Sequence, residues 1–184
     1  MVRTLVAGLF EAVAAALVLL IGGPVGLNAG VAVVGVALGA VLALVPYRGP
    51  FWRIGAWAVG FIFTWISYAI SALLFPSNNT GMAVGAFLGL ILVTLVAGLT
   101  RERLPLWCGL VGTATFVGAY YSAFNAAPYL FKTESITYLV AAFATTMVGF
   151  LAAALADLIF ASRGDSFEDE TVEIDEISTS STGV

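Results

Sequence analysis

Apolar residues run through this chain in blocks of about twenty, broken by short stretches of Gly, Pro, Asn and charge. A bilayer core needs about 20 apolar residues per helix. Six segments meet that length, at roughly 4–22, 26–46, 51–75, 80–99, 106–127 and 136–161. The breaks carry turn residues: "GGPVGLN", "PYRGP", "FPSNNTG", "TRERLP" and "AAPYLFKTES". The pattern predicts an all-α integral membrane protein: six transmembrane helices over residues 1–162 and an acidic, disordered tail over 163–184.

Composition agrees. The chain of 184 residues is 61% hydrophobic and 10% charged, against about 25% charged in soluble domains. Its surroundings are then a lipid bilayer, with no room for a large water-soluble domain or a nucleic-acid surface. There is no His, and Cys108 is the single Cys. This excludes disulfides within the chain, His/Cys metal sites and His-based catalysis. No nucleotide-binding loop or nucleophile–base pair is visible, so no enzyme, cofactor or metal is expected.

Charge sets the orientation. With both termini cytoplasmic, Arg3, Arg48, Arg53, Arg101, Arg103 and Arg163 face inward and only Lys132 faces out, as cytoplasmic loops favour Lys and Arg. Trp52, Trp57 and Trp107 then fall near the inner boundary and Tyr129 and Tyr138 near the outer one, the places of an aromatic belt. Glu11 interrupts the apolar run of the first span, which argues against a cleaved signal peptide. The expected location is the cell membrane, with several passes. Asn78-Asn79-Thr80 is an N-x-T sequon on the outer side.

An internal period is visible. Pro24, Pro76 and Pro128 are spaced by 52, and so are Gly8, Gly60 and Gly112. The simplest reading is three repeated helical hairpins of the same sense, related by an axis along the membrane normal. The even helices carry small residues at spacings near four: Gly26 and Gly30, Gly35 and Gly39, and Gly81, Gly85 and Gly89. Such rows let helix backbones approach closely in lipid. They predict helix packing within the chain, with a homo-oligomer face or a membrane partner protein as the other reading.

The odd helices carry the polar groups. Thr64, Tyr68 and Ser71 share a face of the third span, and Thr113, Tyr121 and Asn125 one of the fifth, beside Ser122. These residues are candidates for interhelical hydrogen bonds or for the lining of a small-solute path.

Two carboxylates lie within spans, Glu11 and Asp157. Intramembrane acids are expensive and mark function by default. Glu11 lies about 12 Å along its helix from Arg3, and Asp157 about 9 Å from Arg163, at 1.5 Å per residue. Both fall in the cytoplasmic half at similar depth. They are candidates for ion or proton coupling, by sharing a proton or holding a small cation; each could instead pair with an arginine such as Arg3, Arg53 or Arg103. Both depart from the period: Phe63 and Thr115 stand where Glu11 would recur. Two functions fit. One is a transporter or channel for a small solute or ion, with an intramembrane carboxylate site. The other is a non-catalytic subunit or assembly factor of a membrane complex.

Overall fold

The computed structural model describes residues 2–23, 27–45, 49–74, 79–101 and 103–161. All regular structure among them is helical: α1 Val2–Gly22, α2 Ala29–Leu44, α3 Pro50–Leu74, α4 Asn79–Leu99, α5 Leu106–Ala126 and α6 Phe131–Ala161, with a 3-10 turn at Pro128–Leu130 before α6. The acidic tail, the sequon Asn78 and the prolines Pro24 and Pro76 lie outside the described residues.

Local chemistry explains the ends. Asn28 caps α2, its side-chain oxygen accepting from the Gly30 N–H at 2.8 Å. Pro105 precedes α5 and Pro128 opens the 3-10 turn, positions where a missing N–H costs nothing. That turn runs straight into α6, so α6 starts at Phe131 rather than near 136 and absorbs the polar Lys132, Thr133 and Glu134.

Six helices stand where six spans are predicted, but they are unequal. Among the described residues, Pro50–Leu73 and Pro128–Ile159 are long and apolar enough to cross a membrane; Val6–Gly22, Ala29–Leu44 and Gly85–Leu99 are apolar but shorter. The sixteen residues of α2 rise about 24 Å at 1.5 Å per residue, short of a core about 30 Å thick. In α5, Tyr120, Tyr121, Ser122 and Asn125 dilute the apolar character. Large apolar side chains nevertheless cover the outer surface, among them Leu9, Leu20, Phe87, Leu95, Leu151 and Leu158.

Two triads make up the packing. In one, α6 lies along α2 and against α1; in the other, α3 lies along α5 and against α4. α5 and α2 join the triads at the centre. This is not an arrangement of three equivalent hairpins. Such an array would pack α2, α4 and α6 alike, yet among the described residues α4 makes no contact with α2 or α6 comparable to the α2–α6 seam.

The reason lies in the glycines. A Cβ on Gly39 would meet the Thr146 carbonyl and the Phe150 N–H of α6, and one on Gly149 would meet the backbone of Val36 in α2. In the other triad, a Cβ on Gly112 would meet the Trp57 carbonyl and the Phe61 N–H of α3, and one on Gly60 would meet Gly109 of α5. Backbone touches backbone at both seams, which larger residues would forbid.

The core is aromatic and sits between α3, α5 and α6. Trp57 stacks on Phe61 at a centroid distance of 4.9 Å, and Phe61 meets Phe116 edge-on at 5.5 Å. Trp57 is wholly buried, and its indole N–H donates to Thr115 Oγ1 at 3.1 Å. The expectation that Trp57 belongs to a lipid-facing belt is therefore corrected: the close α3–α5 approach encloses it. Trp52 and Tyr129 do face outward.

Arg53 is buried as well. Its Nη1 donates to the carbonyl of Ala43 at 3.0 Å and to that of Val45. Those carbonyls end α2 and have no partner within the helix. The guanidinium thus caps α2 from α3, with its charge at the negative end of the helix dipole.

Candidate functional site

The polar residues of α3 and α5 meet in space. A cavity of about 460 Å³ lies between α3, α4 and α5. Thr64, Ser67, Tyr68 and Ser71 of α3 line it, with Gly85, Ala86, Gly89 and Leu90 of α4 and Thr113, Val117, Tyr121 and Phe124 of α5. Five of the seven lining candidates named from the sequence are among them: Thr64, Tyr68, Ser71, Thr113 and Tyr121. Ser122 and Asn125 do not line it; both are exposed.

Ser67 is the lining residue that the sequence reading missed. Its signal was its place three residues after Thr64 and four before Ser71. The cavity exists because α4 offers glycines there. Gly85 faces Ser71 and Gly89 faces Ser67, whose Oγ lies 2.9 Å from where a Cβ would stand. Larger residues would fill the space.

The hydroxyl geometry has a chemical consequence. Thr64 Oγ1 donates to the Gly60 carbonyl at 2.7 Å, Ser67 Oγ to that of Phe63 at 2.8 Å and Ser71 Oγ to that of Ser67 at 2.9 Å. Each hydroxyl commits its proton to its own helix, a common solution for Ser and Thr in apolar helices. What remains on the Thr64 and Ser67 oxygens is lone-pair character. Among the described residues, the lining contains no Asp, Glu, Lys or Arg. Tyr68 packs edge-on to Phe124 at 4.9 Å and to Phe116 at 5.7 Å, which holds its ring at the cavity wall. The arrangement suits a small uncharged molecule that donates hydrogen bonds.

Glu11 is elsewhere. It lies on the face of α1 that carries the buried Ala7 and Ala14, and Ala14 packs with Val36 of α2 and Ala152 of α6. Both Glu11 carboxylate oxygens are buried and make no hydrogen bond. Helices α1 and α6 are neighbours, yet Glu11 is hydrogen-bonded neither to Asp157 nor to Arg53, whose Nη1 is engaged at the end of α2. Asp157 is half-buried on α6 and has a partner of its own.

Of the predicted packing glycines, Gly35 faces Thr145 and Thr146 of α6, Gly39 faces Thr146 and Phe150, and Gly85 and Gly89 face α3. Gly30 touches only the Asn28 cap. Gly26 and Gly81 lie outside the residues whose surroundings are described. Cys108 is fully buried between helices. Among the described residues, no group of three His, Cys, Asp or Glu comes together.

The chain matches no known family model, no curated protein and no solved structure.

Proposed function

We propose that this protein is a six-span membrane transporter or channel for a small solute, with both termini cytoplasmic, and that the solute is recognised in the cavity between α3, α4 and α5. One observation carries this reading: hydroxyl residues from two helices converge on a cavity of about 460 Å³, a volume within the range of small-molecule sites. The apolar outer surface supports the membrane setting. The loop arginines support the orientation. Lone pairs without a charged group favour a neutral donor such as a polyol or an amide.

Proteoliposomes of the full chain test this by stopped-flow light scattering with inward gradients of glycerol or urea. Entry should exceed that of protein-free liposomes for at least one of the two. Ala86→Phe, which fills the cavity from its α4 wall, should lower that excess about tenfold. Entry equal to that of empty liposomes for both solutes, or an excess unchanged by the block, overturns the reading.

A further inference from the structure

The two triads repeat each other residue by residue. Gly112 stands 73 positions after Gly39, and Gly109 stands 73 after Val36. Thr146, Gly149 and Phe150 stand 89 positions after Trp57, Gly60 and Phe61. These ten residues make the two backbone seams, Gly39 against Thr146 and Phe150 as Gly112 against Trp57 and Phe61, and Gly149 against Val36 as Gly60 against Gly109. One pair of offsets therefore superposes the α2–α6 seam on the α5–α3 seam.

Two further cavities obey the same offsets. One is lined by Leu27, Asn28, Val31 and Ala141, and the other by Thr100, Arg101, Leu104 and Trp52. The α5-side residues follow their counterparts by 73, and Ala141 follows Trp52 by 89. Each triad borrows its third helix from the other half: α6 packs on α1 and α2, α3 on α4 and α5. Units of three alternating helices, joined in sequence, enter a bilayer in opposite senses.

The residues that line the hydroxyl cavity then have counterparts on α2 and α6. Thr113 and Val117 map to Ala40 and Leu44 of α2, and Thr64, Ser67 and Tyr68 map to Ala153, Ala156 and Asp157 of α6. On α4, Val93 touches the Gly109 position as Ala14 of α1 packs on Val36. Glu11, three residues before Ala14, therefore falls at the level of the cavity-lining Gly89 and Leu90. Both intramembrane acids thus map onto residues that line the hydroxyl cavity, Asp157 onto Tyr68 and Glu11 onto Leu90.

We infer that α1–α3 and α4–α6 are two inverted copies of one three-helix unit, and that Glu11 stands in the first copy's version of the solute cavity, a second half-site that takes a single positive charge. Glu11 meets the need for that charge directly: its two carboxylate oxygens are buried with no hydrogen-bond partner, and a bare carboxylate in apolar surroundings is costly. A proton or a small alkali cation supplies the same charge. The groups facing it are few. α6, which packs on α1, carries Asp157, Ala29–Leu44 of α2 contains no ionisable side chain, and the sequence of α1 has Arg3 eight residues before Glu11. In a transporter built of inverted copies, ligand sites lie near the repeat interface, so the inference rests on the transport reading for its purpose but not for its detection.

The test is thermal unfolding of the purified full chain from pH 5 to pH 9, in choline chloride, sodium chloride or potassium chloride. In choline, the wild type should lose about 5 °C across this range, a shift of the size that one buried charge produces in a chain this long. Glu11→Gln should flatten the profile, and so should Glu11→Leu, which matches the apolar neighbours if the amide does not fold. Asp157→Asn should leave most of the slope. Recovery of the lost stability by sodium or potassium identifies a cation as the charge; no recovery identifies the proton. Glu11 variants whose profiles run parallel to the wild type overturn the inference. Because this readout needs no solute, a flat Glu11 profile beside an unaffected Ala86→Phe flux would leave the half-site standing and sink the transport reading alone.

Discussion

Trp57 on α3 donates its indole N–H to Thr115 Oγ1 on α5 at 3.1 Å, and both residues are completely buried. Thr115 in turn donates to the Val111 carbonyl at 2.8 Å, so the hydroxyl is oriented to accept. Interhelical bonds of this kind are worth about 0.6 kcal/mol on average and up to about 1.7. Thr115→Val keeps the shape and orphans the indole. It should cost roughly 1–2 kcal/mol in a detergent unfolding titration. Trp57→Phe combined with Thr115→Val should cost less than the two single changes added together, because neither then strands a polar partner.

The glycine seams make a graded prediction. At Gly39 and Gly112 an added Cβ meets backbone atoms of the facing helix, whereas at Gly98 nothing lies within 4 Å. Gly98→Ala should stabilise α4 by up to about 1 kcal/mol through helix propensity. Gly39→Ala and Gly112→Ala should each destabilise by about 1–3 kcal/mol, the usual range for overpacking. The same unfolding titration reads all three. Similar effects at the three sites would contradict the seams.

Arg53 holds the end of α2, so its removal should be costly. Hydrogen bonds to charged groups are worth about 1.5–3 kcal/mol, and Nη1 makes two with the carbonyls of Ala43 and Val45. Arg53→Ala should therefore lower stability by roughly 2–3 kcal/mol. Arg53→Lys keeps the charge but not the planar fork, and should recover only part. Hydrogen exchange at the last turn of α2 should rise in the alanine variant before any global loosening.

The polar residues of α5 divide at the cavity. Thr113 and Tyr121 line the cavity between α3, α4 and α5, while Ser122 and Asn125 do not. Thr113→Val should reduce the solute-entry rate several-fold in proteoliposomes. Ser122→Ala and Asn125→Ala should leave that rate within about twofold of the wild type. Equal losses at all three would mean that the solute does not use this cavity.

Hydrophobic periodicity located the helices well because the apolar runs are separated by clusters of Pro, Gly, Asn and charge that favour turns. The polar lining was legible for a related reason. Thr64, Tyr68 and Ser71 recur at helical spacing, so they had to share a face whatever that face met. Ser122 and Asn125 do not line the cavity: Ser122 stands one residue off the stripe of Thr113 and Tyr121, and Asn125 lies a turn further along it, in the last two residues of α5. The spacing of 52 suggested three hairpins, yet the contacts follow offsets of 73 and 89. Evenly spaced prolines report the lengths of helices and loops, and length does not say which helix packs on which.

The sequence by itself determined that the chain forms six helices, that Glu11 and Asp157 sit within two of them, and that hydroxyls gather on α3 and α5. Each of these follows from short-range rules of apolar spacing, capping and helix-breaking residues. Only the tertiary structure decided that α3 crosses to α5 and α6 to α2, that Trp57 and Arg53 are enclosed, and that Glu11 stands unpaired. Those outcomes depend on which glycines meet which backbones across about fifty residues of chain or more. A linear pattern contains the glycines, but not their choice of partner.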